Sequence, residues 1–163
     1  GRVQLTKLPR IVRAMRAAKR KVRAAVSGVP GLTPRRLNDE AGDSGAFLIF
    51  SLPDRKKAKR FAKALDAENI ASGLSPTVTV ADFGMHIYSN IHSLVGRHSN
   101  SPDGFPWTLE ANRESVHDYA RGAMPQSDDL FDRSVILPIP SVMTKSDIDD
   151  TIRGIRKVAD WVL

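Results

Sequence analysis

The 163-residue chain has no cysteine, and its first 36 residues contain neither an acidic nor an aromatic side chain. Without cysteine there is no disulfide framework and no thiolate metal site, and the simplest compartment is a reducing one, the cytoplasm. No apolar run approaches the roughly 18 residues of a membrane helix, so no spanning segment is expected. Several enzyme signatures are also missing: there is no Walker loop, no Gly-x-Gly-x-x-Gly and no Gly-x-Ser-x-Gly. The glycines of Gly42-Asp-Ser-Gly45 are too sparse to cradle a phosphate and read as a turn before a strand. The chain starts on Gly1 rather than Met, with no signal peptide behind it, and reads as processed or as a piece of something longer. With 41% hydrophobic and 26% charged residues, its composition is that of an ordinary globular domain, which excludes wholesale disorder.

The net charge of +7 is unevenly placed. Residues 1–36 hold eleven Lys and Arg, while the remainder holds 14 basic and 18 acidic residues, a net of −4. A second basic run is Arg55, Lys56, Lys57, Lys59, Arg60 and Lys63. A basic leader invites a nucleic-acid reading, but no aromatic is interleaved with it for base stacking. Nucleic acid is therefore not expected as a partner; the simpler reading is a helix whose apolar stripe packs and whose basic face meets solvent or an acidic neighbour.

Periodicity orders the chain. Val3, Leu5, Leu8, Ile11, Val12, Met15, Ala18, Val22, Ala25 and Val26 recur at spacings of three and four, predicting one helix over 2–27 with Gly28 as its C-cap and Pro9 as a kink or a true start. Residues 45–51 read as a buried strand. A helix from Pro53 and Asp54 to about Ile70 buries Ala58, Phe61, Ala62 and Leu65. Ala71–Pro76 reads as a loop and 77–81 as a second strand. Leu109 to about Ala120 reads as a short helix. Residues 134–138 read as a third strand, with Pro138 and Pro140 placing it at an edge or ending it. Thr144 and Asp147 open a final helix that buries Ile148, Ile152, Ile155, Val158 and Ala159. The predicted fold class is α+β: a small, mostly antiparallel sheet with helices on one face, preceded by a long basic helix that has no evident partner in that core.

His86, His92 and His98 are spaced by six and six, which is not a helical metal-ligand spacing. Loop histidines near a surface or a pocket are the simpler reading, and no metal site is expected. Glu114 and His117 stand three apart without the second copy that a di-metal carboxylate site needs, and read as a solvated helix face. The segment Gly84–Arg97 is chemically richer. Tyr88, Asn90, His92 and Arg97 are the kinds of group that hydrogen-bond sugars, phosphates and carboxylates. Its composition suits a function-bearing loop and a polar surface loop equally.

Three stretches carry a family resemblance. Gly1-Arg-Val-Gln4-Leu5-Thr-Lys7-Leu8 resembles the Gly-x-x-Gln-Leu-x-Lys-Leu helix start of the DegT/StrS-type aminotransferases. Phe47–Phe50, the helix to Ile70 and Thr77–Val80 resemble that family's strand, helix and short strand, with Asn69 standing where a Gly is usual. Met124-Pro125, Leu130, Ser134–Pro138, Thr144 and Asp147-Ile148-Asp149 resemble its closing segment. The likeness covers nearly the whole chain in order.

The resemblance implies the small domain of an aspartate-aminotransferase-like fold: a connector helix over 1–31 leading from a missing large domain, then a small α+β domain over 32–163. It implies a pyridoxal-phosphate enzyme that aminates a keto-sugar attached to a nucleotide, with glutamate or glutamine as donor, acting as a homodimer. The cofactor and its Schiff-base lysine would lie in the missing domain, so this chain alone would be inactive and holds no catalytic residue. Tyr88-Ser-Asn-Ile-His92 resembles the family's Tyr-x-x-x-His near the sugar but lacks the usual Tyr-Pro-Pro, because Ser89 and Asn90 stand there instead. Tyr88 and His92, with Asn90 and Arg97, are the implied substrate contacts. The alternatives are a small basic nucleic-acid-binding module acting through helix 2–27 and a non-catalytic interaction domain.

Overall fold

The computed structural model describes residues 1–70, 76–115 and 117–163. In chain order the elements are α1 (Arg2–Val26), β1 (Thr33–Pro34), β2 (Phe47–Ser51), α2 (Arg55–Ala67), β3 (Val78–Thr79), α3 (His92–Val95), α4 (Pro125–Arg133), β4 (Ser134–Pro138) and α5 (Lys145–Val162), with short 3-10 turns between β3 and α3 and at Glu110–Ser115. The fold is α+β. Its sheet has four antiparallel strands in the order β1-β2-β4-β3. The loop expected over Ala71–Pro76 lies almost wholly outside the described residues.

Strand alternation decides which face is buried. Leu48 and Phe50 pair across β2 and β4 with Leu137 and Val135, and these four side chains are almost fully buried. They meet Phe61 and Leu65 of α2 and Ile155 and Val158 of α5 in one core. Phe50 and Phe61 pack edge to face with ring centroids 5.5 Å apart, a favoured aromatic geometry. Every residue expected to line α2 is buried, and on α5 only Ile152 is half-buried. Asp54 caps α2 by accepting the Lys57 N–H at 2.8 Å. At α5, Thr144 and Asp147 form the reciprocal capping box.

Five expectations change. Residues 134–138 form an inner strand that ends at Pro138, so of the two readings its prolines allowed, the ending holds and the edge does not. Pro138 is tolerated because Ile139 N–H, not residue 138, bonds Ala46 on the β2 side, and β3 pairs only as far as Ile136 on the other. The long helix does have a partner: Ala18, Val22 and Val26 join the core against α5, and the Arg156 guanidinium donates to the Ala25 carbonyl at 2.8 Å. Only its first half, with Val3, Leu5 and Leu8, stays exposed. Ser27, not Gly28, caps α1, and the left-handed residue of the following turn is Gly31. The helix expected over Leu109–Ala120 is only the 3-10 stretch Glu110–Ser115. An unexpected helix, α4, forms where Pro125 takes its first turn, a position that needs no proline N–H.

The acid-free face of α1 finds its carboxylates in the loop before β2. Lys19 is buried and donates to Asp43 at 2.8 Å, Arg16 donates to the Asp43 carbonyl, and Arg23 reaches Glu40 at 3.2 Å. Burial pushes the Asp43 carboxyl up, but the hydrogen bond and charge of Lys19, the Gly45 N–H and the Arg35 charge outweigh it and hold it below the ordinary carboxylate value.

Candidate functional site

The segment after β3 is built from three successive 3-10 turns, Val80–Asp82, Gly84–His86 and Tyr88–Asn90, followed by the single-turn α3. Such short turns leave backbone groups unpaired, so side chains must tie them down. Asn90 does this with its amide, which donates to the carbonyls of Ala81 and Gly84, both at 3.0 Å. Ala81 and Ile87 are buried beneath the segment. Phe83 packs edge to face on Phe47 of β2, centroids 5.5 Å apart, and carries His86 stacked on it at 5.0 Å. The segment is therefore anchored on the sheet.

Tyr88 is anchored from α4. Its hydroxyl lies 3.0 Å from both carboxylate oxygens of the buried Asp128 and accepts the Met124 N–H at 3.3 Å. Asp128 also accepts the Gly122 N–H at 2.8 Å. A neighbouring acid on α4, Asp132, receives Arg121, whose guanidinium this hydrogen bond raises above its ordinary value. Asp132 lies 3.7 Å from the Arg55 Nε as well. Together these contacts hold the stretch 120–133 against the 3-10 segment.

The four residues singled out in the sequence thus share one segment but divide in orientation. The Tyr88 hydroxyl and the Asn90 amide point into the protein and are engaged. His92 opens α3 and is exposed, and its imidazole has no hydrogen-bond partner among the described residues. Arg97 is exposed, adopts a left-handed backbone with φ 49°, and donates to the His117 carbonyl at 3.1 Å. Of the four, His92 and Arg97 are the two presented to solvent. Among the described residues, no group of three or more His, Asp or Glu is placed to hold a metal ion. Sequence reasoning missed Asp128, because an acid on an amphipathic helix carries no signal of burial.

The lysines do not fit a Schiff-base site. Among the described residues Lys19 is the only buried one, and its ammonium is tied to Asp43. The others are exposed or half-buried on helix surfaces. A carbonyl cofactor needs a lysine that can release its proton, and among the described residues the one buried lysine is held by a carboxylate.

No family model matches the sequence. Solved structures do. The whole chain superposes on the aminotransferase TlmJ of Streptoalloteichus hindustanus with a TM-score of 0.65 and 19% identity, covering 35% of that protein. DesV of S. venezuelae, solved with a ketimine intermediate, is matched over 98% of this chain and 34% of its own length, with a TM-score of 0.62 and 18% identity. The proposed sugar aminotransferase Spr1654 of Streptococcus pneumoniae, solved in a PLP form, is matched over 100% of this chain and 35% of its own, with a TM-score of 0.61 and 15% identity. The chain shares the fold of a part of these aminotransferases and spans about a third of their length.

Proposed function

We propose that this chain is the C-terminal region of a pyridoxal-phosphate aminotransferase of the DegT/StrS type, which passes an amino group from a donor such as glutamate to a nucleotide-linked keto-sugar. The observation that carries the reading is the whole-chain likeness to TlmJ, over about a third of that enzyme. It agrees with the residue resemblances at Gln4-Leu5, at Phe47–Phe50 and at Thr144 to Asp147, while Asn69 departs from the usual Gly. In this reading the cofactor and its lysine lie in a large domain ahead of α1. The present chain contributes substrate-side contacts from Tyr88–Arg97, through His92 and Arg97 above all, and part of the subunit packing. The enzyme works as a cytoplasmic homodimer, and this chain alone is inactive.

The test is to express the coding region extended upstream of Gly1 and assay it with pyridoxal phosphate, glutamate and a nucleotide-linked keto-sugar. Amino-sugar and 2-oxoglutarate should form together. The 163-residue chain mixed with the cofactor should show no imine absorbance. A stoichiometric imine on this chain, or an upstream region without a lysine that forms one, would overturn the reading.

A further inference from the structure

Outside α1, Arg55, Arg113, Arg121, Arg133, Arg153 and Lys157 each have a carboxylate within 4.0 Å. The remaining cations of α2 do not, and they are crowded on one helix. Lys56, Lys57, Lys59, Arg60 and Lys63 have no carboxylate partner among the described residues, and all but the half-buried Lys57 are exposed. Five like charges on fewer than three helical turns repel one another, so an unoccupied surface of this kind is electrostatically costly and favours an anionic neighbour.

Beside these cations lies an apolar groove of about 610 Å³ between α2 and α5. Arg60 and Lys63 form its rim, and Ala64 and Ala67 from α2 with Val158 and Trp161 from α5 form its walls. The alanines are what opens it: longer side chains there would fill the seam between the two helices. Trp161 is 66% exposed, an unusual setting for so large an apolar surface, and the Arg60 guanidinium stands 5.1 Å from its ring centroid. The ion pair of Lys157 with Glu68, at 2.8 Å to both oxygens, closes one end.

We propose that this groove docks an acidic amphipathic helix of a partner protein, its apolar side chains seated on Ala64, Ala67 and Trp161 and its carboxylates facing Arg60, Lys63 and the lysines one turn away. A helix in a groove uses both features at once, apolar anchors for affinity and flanking charge for orientation and encounter rate. A single-stranded nucleic acid would use the cations but not the alanine floor, and the aromatic face it would stack on is the one Arg60 occupies. A lipid surface would meet the cations, but it has no ridge to fill a recess. The inference is independent of the proposed aminotransferase activity.

The test uses the 163-residue chain and a fluorescein-labelled helical peptide with leucines along one face and glutamates beside them. Binding by anisotropy should tighten as salt is lowered. It should weaken roughly tenfold or more in the Arg60→Gln/Lys63→Gln double variant, as for a desolvated charge contact, and be lost in Ala67→Trp, which fills the groove. These positions are at the surface, and circular dichroism checks the fold. In the unsubstituted chain, the indole N–H resonance of Trp161 should shift on adding peptide. The proposal is overturned if that resonance stays still, if a peptide with glutamine for glutamate binds as well, or if the double variant binds equally. It is also overturned if single-stranded DNA or phosphatidylserine vesicles bind this face more tightly than the peptide does.

Discussion

Tyr88 and Asp128, 40 residues apart in sequence, meet at 3.0 Å, a phenol aimed at a buried carboxylate. The contact ties two irregular stretches that have little secondary structure of their own. One carries His92 and Arg97; the other is the stretch 120–124, which runs into the first turns of α4 where Asp128 sits. A hydrogen bond to a charged, buried acceptor is among the stronger kinds, and here it replaces the regular backbone pairing that the 3-10 turns lack. The tyrosine that the family resemblance marks as a substrate contact thus has a hydroxyl already committed to the protein.

Removing that hydroxyl should therefore be felt in stability. Tyr88→Phe leaves the ring in place but strips a donor from Asp128 and an acceptor from Met124. A cost of about 1–3 kcal/mol in urea unfolding is expected. An unchanged midpoint would mean that the contact contributes nothing.

His92 should behave in the opposite way. Its imidazole is exposed and unbonded among the described residues, so His92→Ala should leave the unfolding free energy within roughly 0.5 kcal/mol. In the full-length parent enzyme the same change should raise KM for the sugar or lower kcat. Unchanged kinetics would remove His92 from the proposed substrate side.

Much of this fold was legible because it rests on short-range signals. The spacing of Ala58, Phe61, Ala62 and Leu65, the cap at Asp54 and the box of Thr144 with Asp147 are local, and each appears as read. Part of what failed was decided at long range. Whether 134–138 lies at an edge depends on where β3 pairs, and nothing in Val135–Leu137 encodes that. The packing of Val22 depends on α5, more than 100 residues on. The site was half legible: residue types placed Tyr88 to Arg97 as a chemical cluster, but which side chains turn inward depended on Asp128 and on the Ala81 and Gly84 carbonyls.

Asn69 offers a sharper test of a local reading. It sits at φ 55°, immediately after α2, where Ile70 N–H bonds the Leu65 carbonyl and Asn69 N–H bonds the Asp66 carbonyl. That is the Schellman ending, which calls for a left-handed residue, usually Gly and sometimes Asn. Asn69→Ala should cost about 1 kcal/mol from the backbone alone, while Asn69→Gly should be nearly neutral. Thermal unfolding of the two variants separates a backbone requirement from a side-chain one.

The Lys19–Asp43 pair gives a pH dependence with a definite sign. Asp43 titrates lower folded than unfolded, so its contribution is fully present above the ordinary carboxylate value of about 3.9. It is lost as pH falls from there through the lower folded value. Stability measured by urea unfolding should decline over that acid window. Lys19→Met removes the partner, and the part of the decline due to Asp43 should shrink. An identical acid slope in the variant would assign the dependence to other carboxylates.

The two halves of α1 should respond differently to the same kind of truncation. Val22 is fully buried against α5, whereas Leu5 is 66% exposed. Val22→Ala removes buried methyl groups and leaves a void that the surrounding helices cannot wholly close. A loss of about 1–3 kcal/mol is expected, from roughly 0.8 kcal/mol per buried carbon plus the cavity. Leu5→Ala, with nothing packed on it, should stay within roughly 0.5 kcal/mol in this chain. If the proposed large domain packs on Val3, Leu5 and Leu8, the same Leu5→Ala change in the full-length protein should destabilise it by about 2 kcal/mol or more, the range for a buried leucine. Equal, negligible effects in both settings would leave the first half of α1 without a packing role and would count against a connector that docks on its own large domain.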